Sequence, residues 1–269
     1  MKKQQVFLVT GVLFLLAIIN IDSELTAGNL VSEKKILNVV VSSGKITEVA
    51  KGKDSQAVAG GISISGNKIT ADTTRKDNGI EKLERRDLSP YHVVDIRNFP
   101  GKILLQVGGK HSATVTADAS VIPTISTIVN NGVLQVKLTE NISTRMPLTL
   151  ELNAERLSFF RISGVADATL KNLNENKFRL QINGSGSVEA SGFVDELNGV
   201  MIGSGKMRLS NLAADRCVMT VNGSGKVEVH AINMLDGKII GSGEIRYYGA
   251  PRNVSRKIRG SGRIEAVVD

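Results

Sequence analysis

The residues with the clearest potential for chemistry are serines and lysines that follow glycines in the second half of the chain. Gly-Ser-Gly-Lys occurs at Gly203–Lys206 and again at Gly223–Lys226, and it resembles the end of a phosphate-binding loop. Such a loop also needs a glycine five residues before its Gly-Lys glycine, and a serine or threonine after the lysine. Other residues occupy those positions: Val200, Thr220, Met207 and Val227. The sequence therefore predicts structural corners here and no phosphate site.

Side chains that could act as nucleophiles or bind metal are few. The serine of Gly-Ser-Gly recurs from Ser185 to Ser261, so none of these serines is the single nucleophile of a strand–turn–helix elbow. Cys217 is the one cysteine, which excludes an intramolecular disulfide and favours a small core residue over a nucleophile. The three histidines lack metal-ligand spacing: His92, His111 and His230. We expect no catalytic, cofactor-binding or metal-binding residue, and no cofactor.

The carboxylates are not arranged for catalysis either. Polysaccharide hydrolases and related enzymes bring paired acidic groups together, whereas Asp118 and Asp167 stand alone. In a tight turn, an aspartate usually accepts hydrogen bonds from its own backbone. A polysaccharide-active enzyme is therefore the least favoured interpretation of this chain.

These residues belong to a repeat. Gly-Ser-Gly occurs five times, with intervals of 19, 20, 18 and 19 residues, and Ile162–Ala166 is a degenerate earlier copy. Around each corner, aliphatic residues alternate with polar ones, as in Ser187–Ala190. A period of two indicates a strand with one buried face. The five copies are Gly184–Gly186, Gly203–Gly205, Gly223–Gly225, Gly241–Gly243 and Gly260–Gly262.

A single copy cannot close a core, but stacked copies can. Equivalent strands would pair in parallel about 4.8 Å apart, so that each aliphatic column fills the interior. One such column lies four residues after the first glycine: Ala168, Val188, Met207, Val227, Ile245 and Ile264. Glycine suits the corner because the turn needs a positive φ or leaves no room for a Cβ, so β-branched residues at Gly205 or Gly225 should destabilise the fold. The sequence predicts an all-β protein, a single-stranded parallel β-helix (solenoid) of about 19-residue coils.

One outward column supports this stacking because its charges alternate in sign. Five residues after the first glycine stand Thr169, Glu189, Arg208, Glu228, Arg246 and Glu265. In the predicted register each carboxylate would lie between the guanidinium groups of neighbouring coils, and opposite charges at adjacent positions stabilise paired strands.

Residues 1–27 have the architecture of a secretory signal peptide: Lys2 and Lys3, an apolar run over residues 6–21, then polar residues. An uncleaved anchor is the alternative. Residues 28–87 are rich in Lys, Ser, Gly and Asp and are predicted to be a tether or small appended unit. Residues 88–269 form the predicted β-helix domain, with its first coils and cap preceding the repeats. The bulk of the chain is therefore expected outside the cytoplasm.

The net charge of +8 comes from 34 basic and 26 acidic residues. The surplus is spread along the chain, which favours ordinary surface charge over a specific polyanion partner. Aromatic residues make up 4% and tryptophan is absent, which argues against stacking platforms for nucleic acid. No nucleic-acid partner is expected.

Together, several segments resemble the GIN domain, a family named "putative auto-transporter adhesin, head GIN domain". They are Tyr91–Ile96, Asn130–Leu134, the serial Gly-Ser-Gly corners, Tyr247–Pro251 and Gly260–Gly262, and the resemblance covers roughly residues 87–267. It implies a right-handed single-stranded β-helix in an exported bacterial protein, with no established activity or catalytic residues. Gly164–Ala166 departs from the corner pattern, which leaves the turn of that coil open.

Three functional hypotheses remain open from the sequence. The favoured one is a non-enzymatic surface or envelope protein, located in the periplasm, at the outer surface or secreted, whose elongated side binds a cell-surface glycan or envelope protein. The second is a structural or interaction module in the periplasm that self-associates through an exposed solenoid end. The third is a polysaccharide-active enzyme.

Overall fold

The computed structural model describes residues 75–267 and, before them, six short strands. The six strands β1–β6 are Leu15–Ile19, Leu37–Ser42, Lys45–Val49, Ala57–Ala59, Ile62–Ser65 and Lys68–Ala71. β1–β3 form one antiparallel sheet and β4–β6 form another. The chain divides into two compact units, Met1–Thr74 and Arg75–Asp269.

The predicted export signal at residues 1–27 lies outside the described residues except for β1. The division into residues 1–27, 28–87 and 88–269 stays a prediction. Within the described parts of the chain, no helix combines the length and apolar character that a membrane crossing requires.

The second unit consists of strands with one 3-10 helix, Ile122–Thr124. Ahead of the repeats, β7–β16 are Arg75–Lys76, Glu81–Asp87, Val93–Arg97, Lys102–Val107, Ser112–Asp118, Ile125–Asn130, Val133–Leu138, Ile142–Ser143, Thr149–Ala154 and Phe159–Gly164. Within the repeats, β17–β23 are Asp167–Gly184, Ser187–Gly203, Lys206–Gly223, Lys226–Gly241, Glu244–Tyr248, Asn253–Arg259 and Arg263–Ala266.

The repeats stack as parallel coils. β17 to β20 pair in parallel one after another. β20 then pairs in parallel with both β21 and β22, and β21 pairs in parallel with β23. The register aligns Val188, Met207, Val227 and Ile245, and none of these four side chains is more than 1% exposed. Apolar burial along such columns is the main stabilising term. The predicted all-β solenoid of stacked parallel coils is confirmed.

Each Gly-Ser-Gly corner needs its two glycines for different reasons. Gly203 has a φ of +117°, and a Cβ there would lie 2.5 Å from the carbonyl oxygen of Gly184 in the preceding coil. Gly205 lacks space, since its Cβ would lie 2.5 Å from the carbonyl oxygen of Gly186 and 3.1 Å from the sulfur of Met201. The first glycine therefore supplies the backbone conformation as well as the space for the preceding coil, whereas the second is needed for close packing alone.

The degenerate corner at Gly164–Ala166 turns as the later corners do. Gly164 has a φ of +123°, and its carbonyl accepts a 3.1 Å hydrogen bond from the backbone N–H of Ser185. The departure lies one coil earlier, where Asn98 takes a positive φ of 47° and donates its N–H to the Ser163 carbonyl at 2.9 Å.

The coils before the repeats do not stack in chain order. β16 pairs with β9, and β17 pairs with β10, so β9 and β10 form the coil next to the repeats. The later strands β13 and β15 lie on the far side of that coil. Beyond them, β12 pairs with β13 and β11 with β15, both antiparallel, and β8 pairs with β11. We call this antiparallel end of the solenoid the cap; the order of its strands was not predictable from local pattern.

β8 forms in a charged stretch that the sequence analysis placed in the appended segment. Arg86 explains its position: its side chain, only 18% exposed, donates to the carbonyls of Ile125 at 2.5 Å and Ile122 at 3.3 Å. It also donates to the hydroxyl of Thr127 at 3.1 Å. These bonds fix β8 to the turn that contains the 3-10 helix.

Candidate functional site

The corner serines form an exposed line along the solenoid. Their backbone N–H groups bond to the preceding coil, as in Ser204 to the Gly184 carbonyl at 3.1 Å and Ser224 to the Gly203 carbonyl at 3.0 Å. The hydroxyl oxygens of Ser185 and Ser204 lie 3.4 Å apart. We call the five serines the corner ridge: Ser185, Ser204, Ser224, Ser242 and Ser261, all exposed.

Polar groups flank the corner ridge on both sides. On the side that precedes the serines, Asn183 and Asn222 alternate with Ile202 and Ile240. On the side that follows them, the exposed Lys206 and Lys226 lie between Ser187 and Glu244. Hydroxyls can donate and accept hydrogen bonds, amides do both, and ammonium groups donate and attract anions. Because the coils repeat about every 4.8 Å, the ridge suits an extended ligand whose hydroxyl or anionic groups also repeat.

The outward charge column has the predicted register but pairs differently. Glu189, Arg208, Glu228 and Arg246 are successive strand partners. Within it, ion pairs join Arg208 to Glu189 at 2.7 Å and Arg246 to Glu228 at 3.9 Å. The predicted position of Glu228 between Arg208 and Arg246 is therefore confirmed, but each of these two arginines turns toward the carboxylate of the preceding coil.

Asp95 and the arginines that contact it form a second cluster of charges, on strands β9 and β16. The Asp95 carboxylate is 2% exposed and accepts hydrogen bonds from Arg161 at 2.8 and 2.5 Å and from Arg97 at 2.8 and 2.6 Å. Burial alone would raise the pKa of Asp95, but the two guanidinium groups lower it overall. Arg161 and Arg179 also lie over the Phe159 ring, 5.9 and 5.7 Å from its centroid. The cluster joins two adjacent coils.

Asp118 is the predicted isolated carboxylate, and the structure buries it in a turn. It accepts hydrogen bonds from the backbone N–H groups of Asn78 at 3.0 Å and Gly79 at 2.7 Å, and from the N–H and hydroxyl of Ser120 at 2.8 and 2.5 Å. Burial opposes ionisation, but these hydrogen bonds prevail and lower the pKa of Asp118 to about 2. A carboxyl group in this state stays ionised and does not donate a proton near neutral pH.

Glu175 is the third buried carboxylate. It pairs with Arg156 at 3.0 Å and accepts the backbone N–H of Leu157 at 2.9 Å. Asp95, Asp118 and Glu175 thus each hold neighbouring coils or backbone segments in place. None of the contacts described above joins one of these carboxylates to another.

The other residues that the sequence singled out lie apart in the fold. Cys217 is fully buried, burial raises its pKa to about 12, and it is therefore a core residue. The His111 ring packs on Tyr91 with centroids 4.9 Å apart. His92 is exposed, His230 half-buried and Asp167 exposed at the start of β17. Between residues 75 and 267, no group of three or more His, Cys, Asp or Glu side chains could hold a metal ion.

Sequence reasoning missed the Asp95 cluster. Asp95 directly precedes Ile96, and Arg161 directly precedes Ile162. Ile96 and Ile162 are strand partners in one column, so Asp95 and Arg161 are partners as well. That relation becomes visible once β9 is known to stack on β16.

The family described as "Putative auto-transporter adhesin, head GIN domain" matches residues 98–251, more than half of the chain. No curated protein matches the sequence. The match covers four of the five Gly-Ser-Gly corners, four of the five ridge serines and part of the cap.

Solved structures resemble this chain at low sequence identity. A "putative adhesin" from Bacteroides fragilis is 16% identical, covers 71% of this chain and 99% of its own, and has a TM-score of 0.60. A "putative adhesin" from Parabacteroides distasonis is 20% identical over 72% of this chain and 100% of its own, with a TM-score of 0.48. A "putative lipid binding protein" from the same organism is 21% identical over 72% and 99%, also with a TM-score of 0.48.

Proposed function

Because this chain belongs to the GIN-domain family of adhesin-like proteins, we propose that it is an exported binding protein without a catalytic site of its own. It acts outside the cytoplasm, at the cell surface or in the envelope. The elongated side of the solenoid is its binding face, and the ligand is an extended glycan of the cell surface.

The observation that carries this proposal is the corner ridge with its flanks. Five exposed hydroxyls recur at the coil spacing, and every ridge serine before Ser261 is held by a backbone hydrogen bond of 3.0 to 3.1 Å to the coil before it. Such a surface is rigid before binding, so little conformational entropy is lost when a ligand is bound. The row of hydroxyls, with amide and ammonium groups at some of the flanking positions, matches the hydrogen-bonding groups of a polysaccharide.

The states of the buried carboxylates support a non-enzymatic role. A glycoside hydrolase needs one carboxylic acid whose pKa is raised so that it can protonate the leaving group. The pKa values of Asp95 and Asp118 are lowered instead, and both groups are fully engaged in hydrogen bonds. Incubation with a panel of acidic and neutral polysaccharides should leave their chain lengths unchanged; measurable shortening would overturn this part of the proposal.

The ridge is tested by removing its hydroxyls. The variant with Ser185, Ser204, Ser224 and Ser242 all changed to Ala should lose most binding on a glycan array while its thermal unfolding stays near that of the wild type. The matched control changes Ser191 and Ser210, which lie on another wall of the coils, and should bind as the wild type does. Equal binding by all three proteins would show that the ridge is not the binding face.

A structural module inside the periplasm is the second candidate, and the open edge of the last coil favours it. Protease treatment of intact cells separates the two locations. Digestion of the solenoid without lysis places it at the surface, whereas protection until the outer envelope is opened places it inside.

A further inference from the structure

The last coil of the solenoid ends in an open strand edge. β22 pairs in parallel with β20, and within the described chain it has no strand on its other side. Alternate backbone N–H and C=O groups of an edge strand are available for another strand. This edge is therefore a ready position for one more β-strand.

The core is also uncovered at this edge. Val254 and Ile258 continue two inward columns, yet they are 36% and 45% exposed, whereas Leu235 and Ile239, their strand partners in β20, are fully buried. A strand added to β22 would cover both side chains. The same location thus offers backbone hydrogen bonds and apolar contact together.

The edge is strongly basic. Residues 252–263 contain five cations and no acidic residue: Arg252, Arg256, Lys257, Arg259 and Arg263. Three of them have partners within the protein, since Arg256 donates to the Tyr247 hydroxyl at 2.5 Å, Arg263 pairs with Glu244 at 3.1 Å and Lys257 pairs with Asp236. Lys257 is 64% exposed and reaches Asp236 only at 3.5 Å, and Arg252 and Arg259 make no ion pair within the described residues. Positive charge therefore remains to attract a partner.

A second copy of this chain does not complement the edge. Two copies that met through β22 would bring Lys257 and Arg259 against like charges, which is unfavourable. At the opposite end of the described unit, the edge strand β12 has no charged residue, and β8 contains three acidic and three basic residues. The charge pattern thus disfavours the self-association through this end that the sequence analysis left open.

We infer that the edge of β22 binds an extended acidic segment of another protein, which adds to the sheet as a next strand. Main-chain hydrogen bonds would supply affinity, and alternate side chains would supply specificity. The partner would carry two apolar residues four positions apart, opposite Val254 and Ile258. Acidic residues would stand at the alternate positions that face Lys257 and Arg259. A polyanionic glycan would contact only the cations. It would leave Val254, Ile258 and the free backbone groups of β22 without partners, so it complements this edge less well.

The inference is tested with the whole protein and the synthetic peptide Glu-Val-Glu-Ser-Glu-Ile-Glu, which matches the length and pattern of β22. We expect measurable binding by isothermal titration calorimetry, weakened by added salt, and reduced about tenfold in the variant Lys257→Glu/Arg259→Glu. The control Lys110→Glu/Lys171→Glu makes the same change in net charge at exposed positions elsewhere and should bind as the wild type does. Thermal unfolding of both variants checks that the fold is kept.

Two further ligands distinguish strand addition from plain charge attraction. A peptide of the same sequence with alternate backbone nitrogens methylated keeps its charge but loses hydrogen-bond donors, so it should bind much more weakly. Dextran sulfate should compete poorly with the peptide at equal charge concentration. Equal binding of the methylated peptide, efficient competition by dextran sulfate, or no effect of the edge variant would each overturn the inference.

Discussion

Two regions of the solenoid both contain parallel stacked coils but build them by different means. In the repeat region, residues 167–266, coils follow chain order, and aliphatic columns fill the interior. In the capping region, residues 75–164, later strands lie outside earlier ones, and Asp95 and Asp118 are buried in hydrogen-bonded clusters. Where a repeat sets the register, apolar columns fill most of the interior, and the buried carboxylate Glu175 bonds to Arg156 and Leu157, which lie just ahead of the repeats. Where the repeat stops, specific polar contacts determine which strands meet.

The largest expected contrast between the regions concerns glycines with positive φ. Gly203→Ala in the repeat region should cost about 3 kcal/mol in unfolding free energy, because strain in φ adds to a 2.5 Å approach to the Gly184 carbonyl. Gly108→Ala in the capping region should cost only about 1 kcal/mol, because Gly108 has a φ of +103° but nothing lies within 4 Å of its Cβ. Urea denaturation measures both.

Ser204→Ala serves as the control, since it changes the same corner without adding a Cβ and should alter stability by less than about 0.5 kcal/mol. Equal losses for Gly203→Ala and Gly108→Ala would mean that backbone conformation alone decides the cost and that the coils are not closely packed at the corners.

The second contrast concerns size variation inside one buried column. Successive partners in this column are Leu180, Gly199, Met219 and Gly237, and the side chain of Met219 occupies the space next to Gly199. Gly199→Ala should cost about 1–3 kcal/mol through overpacking. In that background Met219→Ala should cost about 1 kcal/mol less than in the wild type, because the two positions share one volume. Strict additivity in the double-mutant cycle would contradict the stacking of these two residues.

The sequence predicted the repeat region well because each of its features repeats. Strand alternation, corner glycines and outward charges each recur in five copies, so the columns could be aligned without any structure. The structure confirms the column of Val188, Met207, Val227 and Ile245 residue by residue. The pairing of Arg208 with one neighbour rather than two depends on side-chain rotamers, which a sequence pattern does not specify.

The third contrast is the acid sensitivity of the capping region. The folded-state pKa of Asp118 is about 2, below the ordinary value of about 3.9 for an unfolded chain. Its contribution to stability is therefore fully present above about pH 4 and is lost as the pH falls toward 2. Asp118→Asn should lower stability at pH 7 and flatten the loss of stability between about pH 4 and 2.

The control for this pH profile is Asp167→Asn, which removes a carboxylate at an exposed position in the repeat region and should keep the wild-type profile. An Asp118→Asn variant with an unchanged profile would show that its hydrogen bonds to Asn78, Gly79 and Ser120 do not stabilise the cap.

The arrangement of the capping region could not be predicted for a physical reason. The sequence indicated that first coils and a cap precede the repeats, but it gave no order for their strands. Their order depends on long-range contacts, such as the bonds from Arg86 to the carbonyls of Ile122 and Ile125. A single charged residue in a polar stretch gives no sign of such a partner. The candidate binding ridge, by contrast, could be located because it consists of the repeat itself.

The smallest expected effect belongs to the outward charges of the repeat region. Arg208 and Glu189 form a 2.7 Å ion pair at the surface, where their side chains are 46% and 53% exposed. Because water screens this pair, it stabilises the folded state by only about 0.2–1 kcal/mol. Arg208→Glu should destabilise the protein slightly, and adding Glu189→Arg should recover most of the loss. Glu228→Arg should recover less, since Arg208 turns toward Glu189. A larger recovery from Glu228→Arg would contradict the observed pairing.

Stacking of the corners into one straight ladder is tested most directly by distances along the corner ridge. Nitroxide labels at Ser185→Cys/Ser224→Cys and at Ser185→Cys/Ser261→Cys can be measured by electron paramagnetic resonance, because the buried Cys217 is shielded from labelling. The pairs span two and four coils, so backbone separations of about 10 and 19 Å are expected, with the second pair about 10 Å longer. Equal distances for the two pairs, or a separation beyond about 30 Å for either, would contradict the stacked solenoid and the ridge that depends on it.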